Sequence, residues 1–136
     1  MKIALLGDLA LFGRYSPRSN PAVYDYFSSI ASYLHQFDYV VGNLETPFSK
    51  DGKPHGAKSA YISSSPRDVE LLKFLNVSLV NLANNHIYDY GASGYRCTLE
   101  TLSREGIDYF GVEDRQFELE CEGAQLAFHG YCSFNT

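Results

Sequence analysis

The residues best suited to chemistry follow short apolar runs. Asp8 comes after Leu5-Leu6-Gly7, Asn43 and Glu45 after Val40-Val41-Gly42, and Asn85, His86 and Asp89 after Leu82-Ala83-Asn84. Carboxylates and carboxamides are hard oxygen donors, and a single imidazole among them suits a divalent cation with hydrolytic chemistry better than a nucleophilic triad. Asn43 and Glu45 are two residues apart, hence on one side if extended geometry continues. Asp89 stands three residues beyond His86, where it can accept from the imidazole and fix its tautomer. Taken alone, each has a plainer reading. Asp8 would serve as a turn or cap residue, Glu45 as a solvated loop acid, and Asn84 or Asn85 as a left-handed turn residue. Joint placement carries the expectation: parallel strands of one sheet would bring their carboxyl ends together, and the polar groups with them.

The elements that must do this are legible in outline. Lys2 to Leu6 reads as a buried strand, Asp38 to Gly42 as a second, Ser78 to Ala83 as a third and Ile107 to Gly111 as a fourth. Between them, Val23, Phe27, Ile30 and Leu34 repeat at helical spacing. Ser65-Pro66-Arg67-Asp68 starts a helix running to about Leu75, with Ser as N-cap and Pro at the first position. Tyr95, Leu99 and Leu102 mark a third helix, which Gly106 ends in a left-handed cap. Phe117 to Cys121 and Ala124 to Tyr131, joined by Glu122-Gly123, read as a hairpin at one side of the sheet. Alternating strands and helices imply an α/β fold with right-handed crossovers and a mostly parallel sheet. Several strands are apolar on both faces and want cover on both sides. The Pro- and Gly-rich stretch from Thr46 to Lys58 is expected to be a loop with few means of burying itself, a candidate flap over the substrate side.

At 136 residues the chain fits one domain, residues 1–136, with a core that needs no disulfides. A formal charge of −5 without a basic stripe disfavours nucleic acid as a partner. Cys97, Cys121 and Cys132 lack metal-ribbon spacing and suit a reducing compartment. The N-terminal apolar run is too short for a signal peptide or a membrane span, so the sequence reads as cytoplasmic, with cell-envelope association if an anchor lies upstream. Among the other histidines, His35 falls near a helix end, His55 in the flexible loop, and His129 in the closing strand as a hydrogen-bonded core residue.

Taken together, G-D-L-A-L from Gly7, N-L-E-T-P from Asn43 and A-N-N-H-I-Y-D-Y-G from Ala83 resemble the bacterial capsule-synthesis CapA family of poly-gamma-glutamate biosynthesis, within the calcineurin-like metallophosphatase superfamily. The closing E-C-E-G-A-Q-L-A-F-H-G-Y continues the resemblance, which covers nearly the whole chain. It implies half of a four-layer αββα sandwich with a metal site at one end of the sheets. By position, Asp8 would be a metal ligand, Glu45 would stand where related phosphoesterases have a bridging acid, and Asn85 would be a further ligand. His86 would be the proton donor, oriented by Asp89, with Asn43 and Asn84 supporting from behind. The cofactor implied is a divalent ion, Mn, Mg, Zn or Fe, and the substrate a phosphate ester or an anionic polymer. The superfamily's His two residues after the first Asp is Ala10 here, and its later H-x-G and H-x-H motifs have no counterpart before Thr136. The expectation is therefore a domain cut short, with an apolar sheet face that a second copy would cover. A non-catalytic polymer-binding or assembly component is the alternative.

Overall fold

Four parallel strands standing in sequence order, β1 (Ile3–Leu9), β2 (Tyr39–Leu44), β3 (Leu79–Asn81) and β4 (Asp108–Phe110), form the main sheet of the computed structural model, which describes residues 1–50, 52–56 and 58–133. Right-handed crossovers between strands laid down in this order put every connecting helix on the same face. The packing agrees. Helices α1 (Val23–Leu34), α2 (Val69–Phe74) and α3 (Gly91–Arg104) bury Val23, Leu34, Leu71, Leu72 and Leu102 in one core with Val40, Leu44, Val80 and Leu82 of β2, β3 and the turn beyond it. The fold is thus α/β, as the alternation of elements implies.

The opposite face is covered by different means. Val41, Leu79 and Phe110 are buried there beneath Phe117 and Phe128, which belong to a hairpin of β5 (Phe117–Cys121) and β6 (Ala124–Phe128). The ring centroids of Phe110 and Phe128 lie 5.8 Å apart. Glu122 at φ 51° and Gly123 at φ 81° turn the hairpin, the left-handed pair that matches strand twist. Expected beside the sheet, the hairpin is instead a separate two-stranded sheet packed across its face. The apolar face expected to stand open is therefore largely closed, although Leu5 on the edge strand β1 stays 71% exposed.

Other boundaries differ for local reasons. β1 runs on to Leu9 through a bulge: Leu5 pairs with Val41 and Asp8 with Asn43, so three steps on β1 match two on β2. That extra residue restores Asp8 to the face that carries Leu5. The helical stripe of α1 is Val23, Phe27, Ala31 and Leu34, while Ile30 falls on its margin and is exposed. The helix before Leu75 opens with a 3-10 turn, Pro66–Asp68, capped as expected by Ser65, and Asp68 completes a capping box. His129 lies beyond β6, exposed and stacked on Tyr131, rather than in a strand of the core. No helix among the described residues is long and apolar enough to cross a membrane.

The stretch from Thr46 is less free than its composition suggests. Thr46, Pro47 and Phe48 are buried, and Phe48 forms a parallel bridge with Ser64 while its N–H donates to Thr98 Oγ1 at 2.8 Å. An aromatic side chain with no exposure anchors the start of this loop in the helical core. Phe48→Ala is expected to cost about 3–5 kcal/mol in urea unfolding, by lost transfer energy and an unfilled cavity.

Candidate functional site

Parallel pairing sets the first half of the site. Asp8, Asn43 and Asn81 occupy one cross-strand row at the carboxyl ends of β1, β2 and β3. Their side chains form a ladder: Asn43 Nδ2 donates to Asp8 Oδ1 at 2.8 Å, and Asn81 Nδ2 donates to Asn43 Oδ1 at 3.0 Å. Asn84 Nδ2 adds a second donor to Asn43 Oδ1 at 3.3 Å and a bond to the Leu44 carbonyl at 2.9 Å. Two donors on its oxygen leave Asn43 only one orientation, with its amide hydrogens toward Asp8. Asp8 itself is exposed at the rim.

Asn84 joins this ladder to the second half. Its Oδ1 accepts from the His86 N–H at 3.0 Å, which fixes the turn after β3. His86 Nδ1 lies 2.8 Å from Asp89 Oδ2, and its Nε2 lies 4.0 Å from Glu45 Oε1. The imidazole is thus held from behind and faces a carboxylate in front, with the two side chains 16% and 28% exposed. Asp89 is wholly buried and also accepts from Lys58 Nζ at 2.8 Å and from the Ile62 N–H at 2.9 Å. Burial pushes its carboxyl up; the hydrogen bonds from Lys58, His86 and Ile62 outweigh that and hold it below the ordinary carboxylate value.

The loop expected to be a flap supplies Lys58. Its ammonium also donates to the Asn85 carbonyl at 2.5 Å, and the His55 N–H donates to the Asp89 carbonyl at 2.8 Å. The far end of the loop is therefore closed down on Asp89. Lys58 and Asn81 escaped the reading of the sequence. Nothing in a polar loop distinguishes one lysine, and its partner is 31 residues away. Asn81 did carry a signal, because an amide inside an apolar strand demands a partner.

These positions assemble unevenly as a cation site. Among the described residues, the Glu45 carboxylate accepts no hydrogen bond, the Asn85 amide makes none, and Asp8 has one oxygen engaged by Asn43. Their chemistry suits a hard cation. No three His, Cys, Asp or Glu side chains among the described residues gather as a metal cluster, so water or further ligands would fill much of the coordination shell. Among the described residues no hydrogen bond joins the Asn85 side chain to Asp8 or Glu45.

The class defined so far is an α/β domain with its polar site at the carboxyl rim of a parallel sheet. Comparison with known proteins narrows it. Residues 2–135 match the family model of the bacterial capsule synthesis protein PGA_cap, and the chain belongs to that family. It is 30% identical over 116 residues to the capsule biosynthesis protein CapA of Bacillus anthracis, covering 82% of this chain and 28% of that protein. It is 29% identical over 119 residues to the PGA biosynthesis protein CapA of Bacillus subtilis, covering 82% and 30%. A probable polyglutamine synthesis accessory protein of Mycobacterium tuberculosis is 35% identical over 75 residues, covering 55% and 20%. The chain thus spans less than a third of the length of these curated relatives.

Asp89→Asn should destabilise the chain by about 3 kcal/mol at pH 7, since it leaves the Lys58 ammonium without its partner. The folded carboxyl titrates below its unfolded value of about 3.9, so its contribution is complete above that value and fades as pH falls through the lowered one. Urea unfolding from pH 7 to pH 3 should show the gap between wild type and variant closing only in acid.

Proposed function

We propose that this chain carries a metal-dependent hydrolytic site of capsule-polymer synthesis, in which Asp8, Glu45 and Asn85 hold a divalent cation and the pair of His86 and Asp89 handles the proton. The observation that carries it is the His86 ring, tied at Nδ1 to a buried carboxylate and open at Nε2 toward Glu45. A protonated Nε2 in that position gives its proton to a leaving oxygen, and Asp89 stabilises the imidazolium before and the correct tautomer after. Asn43, locked by Asn81 and Asn84, holds Asp8 at the rim by its hydrogen bond. Lys58 keeps Asp89 charged and so keeps the ring oriented. The cation, when bound, supplies Lewis acidity to a phosphoryl or carbonyl oxygen. Phosphate esters and the gamma-linked glutamyl polymer that the sequence resemblance implies are the substrates to try.

A second reading is favoured by one observation, the absence of a compact metal cluster among the described residues. In it the domain is a non-catalytic assembly component, in keeping with the word accessory in the name of the mycobacterial relative.

Titration with Mn2+ and hydrolysis of an activated phosphodiester and of polyglutamate separate the two. The hydrolytic reading expects Asp8→Ala and Glu45→Ala to lose metal, and His86→Ala to keep metal while the rate falls by roughly 10²–10⁴. Metal content and rate that ignore all three substitutions would remove it.

A further inference from the structure

Beyond the rim, the segments that follow Asp8 and Glu45 run on to line a second, open hollow. Residues between Leu11 and Ser19 after β1, Ser49, Lys50 and Gly52 after β2, and the Ser63 to Ser65 approach to α2 line a hollow of about 470 Å³. Hydrogen bonds tie these walls together: Leu11 N–H donates to Thr46 Oγ1 at 3.0 Å, and Ser64 Oγ donates to the Leu11 carbonyl at 2.6 Å. The cavity is a product of the fold, built from three segments far apart in sequence.

Several donors in its lining have no protein acceptor among the described residues. The hydroxyls of Ser19, Ser49 and Ser63 make no hydrogen bond among the described residues, and the Ser65 hydroxyl only accepts, from the Arg67 N–H. Arg18 and Lys50 also line it, and neither forms an ion pair among the described residues, whereas Lys58, Lys73, Arg104 and Arg115 all do. Past Lys50 the hollow adjoins another of about 330 Å³ bounded by Lys53 and Arg96, which form no ion pair among the described residues, and by Glu100. Among the described residues the two hollows carry the cations Arg18, Lys50, Lys53 and Arg96 against the carboxylates Asp68 and Glu100, a local excess of positive charge in a chain of net charge −5.

Among the described residues one carboxylate, Asp68, belongs to the lining, and neutral donors hold it in place. Asp68 is 1% exposed and accepts from Ser16 Oγ at 3.0 and 2.9 Å, from the Arg18 N–H at 3.2 Å and from the Ser65 N–H at 3.1 Å. It forms the floor that fixes the walls, with one hydroxyl and two backbone N–H groups donating to its two oxygens.

We propose that this cavity binds a phosphate-type anion, the phosphoryl or diphosphoryl group of a small ligand, through Arg18, Lys50 and the hydroxyls of Ser19, Ser49, Ser63 and Ser65. The number of donors favours phosphate over carboxylate. A carboxylate offers two oxygens, while a phosphoryl group offers three and a diphosphate more, enough to engage several hydroxyls together with a guanidinium and an ammonium. Among the described residues the lining has Phe12 as its one aromatic ring, so the donors are placed for the charged group of a ligand. This inference needs neither a cation nor His86, and it stands or falls apart from the hydrolytic reading.

The test is calorimetric titration of the whole chain, freed of metal with EDTA, with inorganic pyrophosphate. Saturable one-to-one binding that weakens with salt is expected. Arg18→Gln and Lys50→Gln should each weaken it by about tenfold or more, the loss of one charge-assisted contact. Lys73→Gln, which removes a cation outside the cavity, should leave it unchanged, as should His86→Ala, and thermal melts establish that each variant is folded. A second arm uses gamma-glutamylglutamate at equal ionic strength, for which much weaker binding is expected. Equal affinity for the dicarboxylate would overturn the phosphate assignment. Absence of binding, indifference to both Arg18→Gln and Lys50→Gln, or loss in His86→Ala alone would overturn the site.

Discussion

The buried carboxylate of Asp89 is the constraint on which the site depends. A wholly desolvated charge is tolerated only where donors surround it, and here they come from three places: Lys58 in the long loop, the Ile62 backbone, and His86 in its own turn. Each donor is thereby fixed in turn. The loop closes because its ammonium is needed at Asp89, and the imidazole is oriented because its Nδ1 faces the same carboxylate. Geometry at the rim is thus a consequence of satisfying one buried charge.

A second ordering runs through the sheet. Strands in sequence order with right-handed crossovers commit all three helices to one face, which leaves the other to be closed by whatever follows. The C-terminal hairpin does so with Phe117 and Phe128. The same face carries Asp8, Asn43 and Asn81, so the hairpin side of the sheet changes from aromatic cover at Phe110 to an amide ladder at the rim within a row. Gly111 fits this change of character, since a Cβ there would stand 2.5 Å from Asn81 Oδ1 and 2.8 Å from the Ala83 Cβ. Its φ of +88° belongs to the region glycine reaches without strain. Membership of the capsule synthesis family gives this arrangement a biological setting, while the relatives extend well beyond the part this chain resembles.

Much of this architecture was legible before any coordinates. Helical spacing marked α1, the Ser-Pro-x-Asp sequence marked the start of α2, and Glu122-Gly123 marked the hairpin turn, because each is a local preference of backbone or burial. Strand ends followed by Asp, Asn, Glu and His marked the rim. The pairing of His86 with Asp89 was also within reach, being a matter of three residues.

What only the tertiary structure decided depends on contacts between distant segments. The bulge that turns Asp8 onto the face of Asn43 is set by pairing with β2, and the hairpin lies across the sheet because the helices had used the other face. Lys58 reaches Asp89 across 31 residues, and the serine-lined cavity needs three loops at once. By itself the sequence determined which segments are strands, helices and turns and which side chains could do chemistry, since those follow from short-range sterics and periodicity. Which of those side chains meet was decided by strand register and buried charge, and these exist only once the chain is folded.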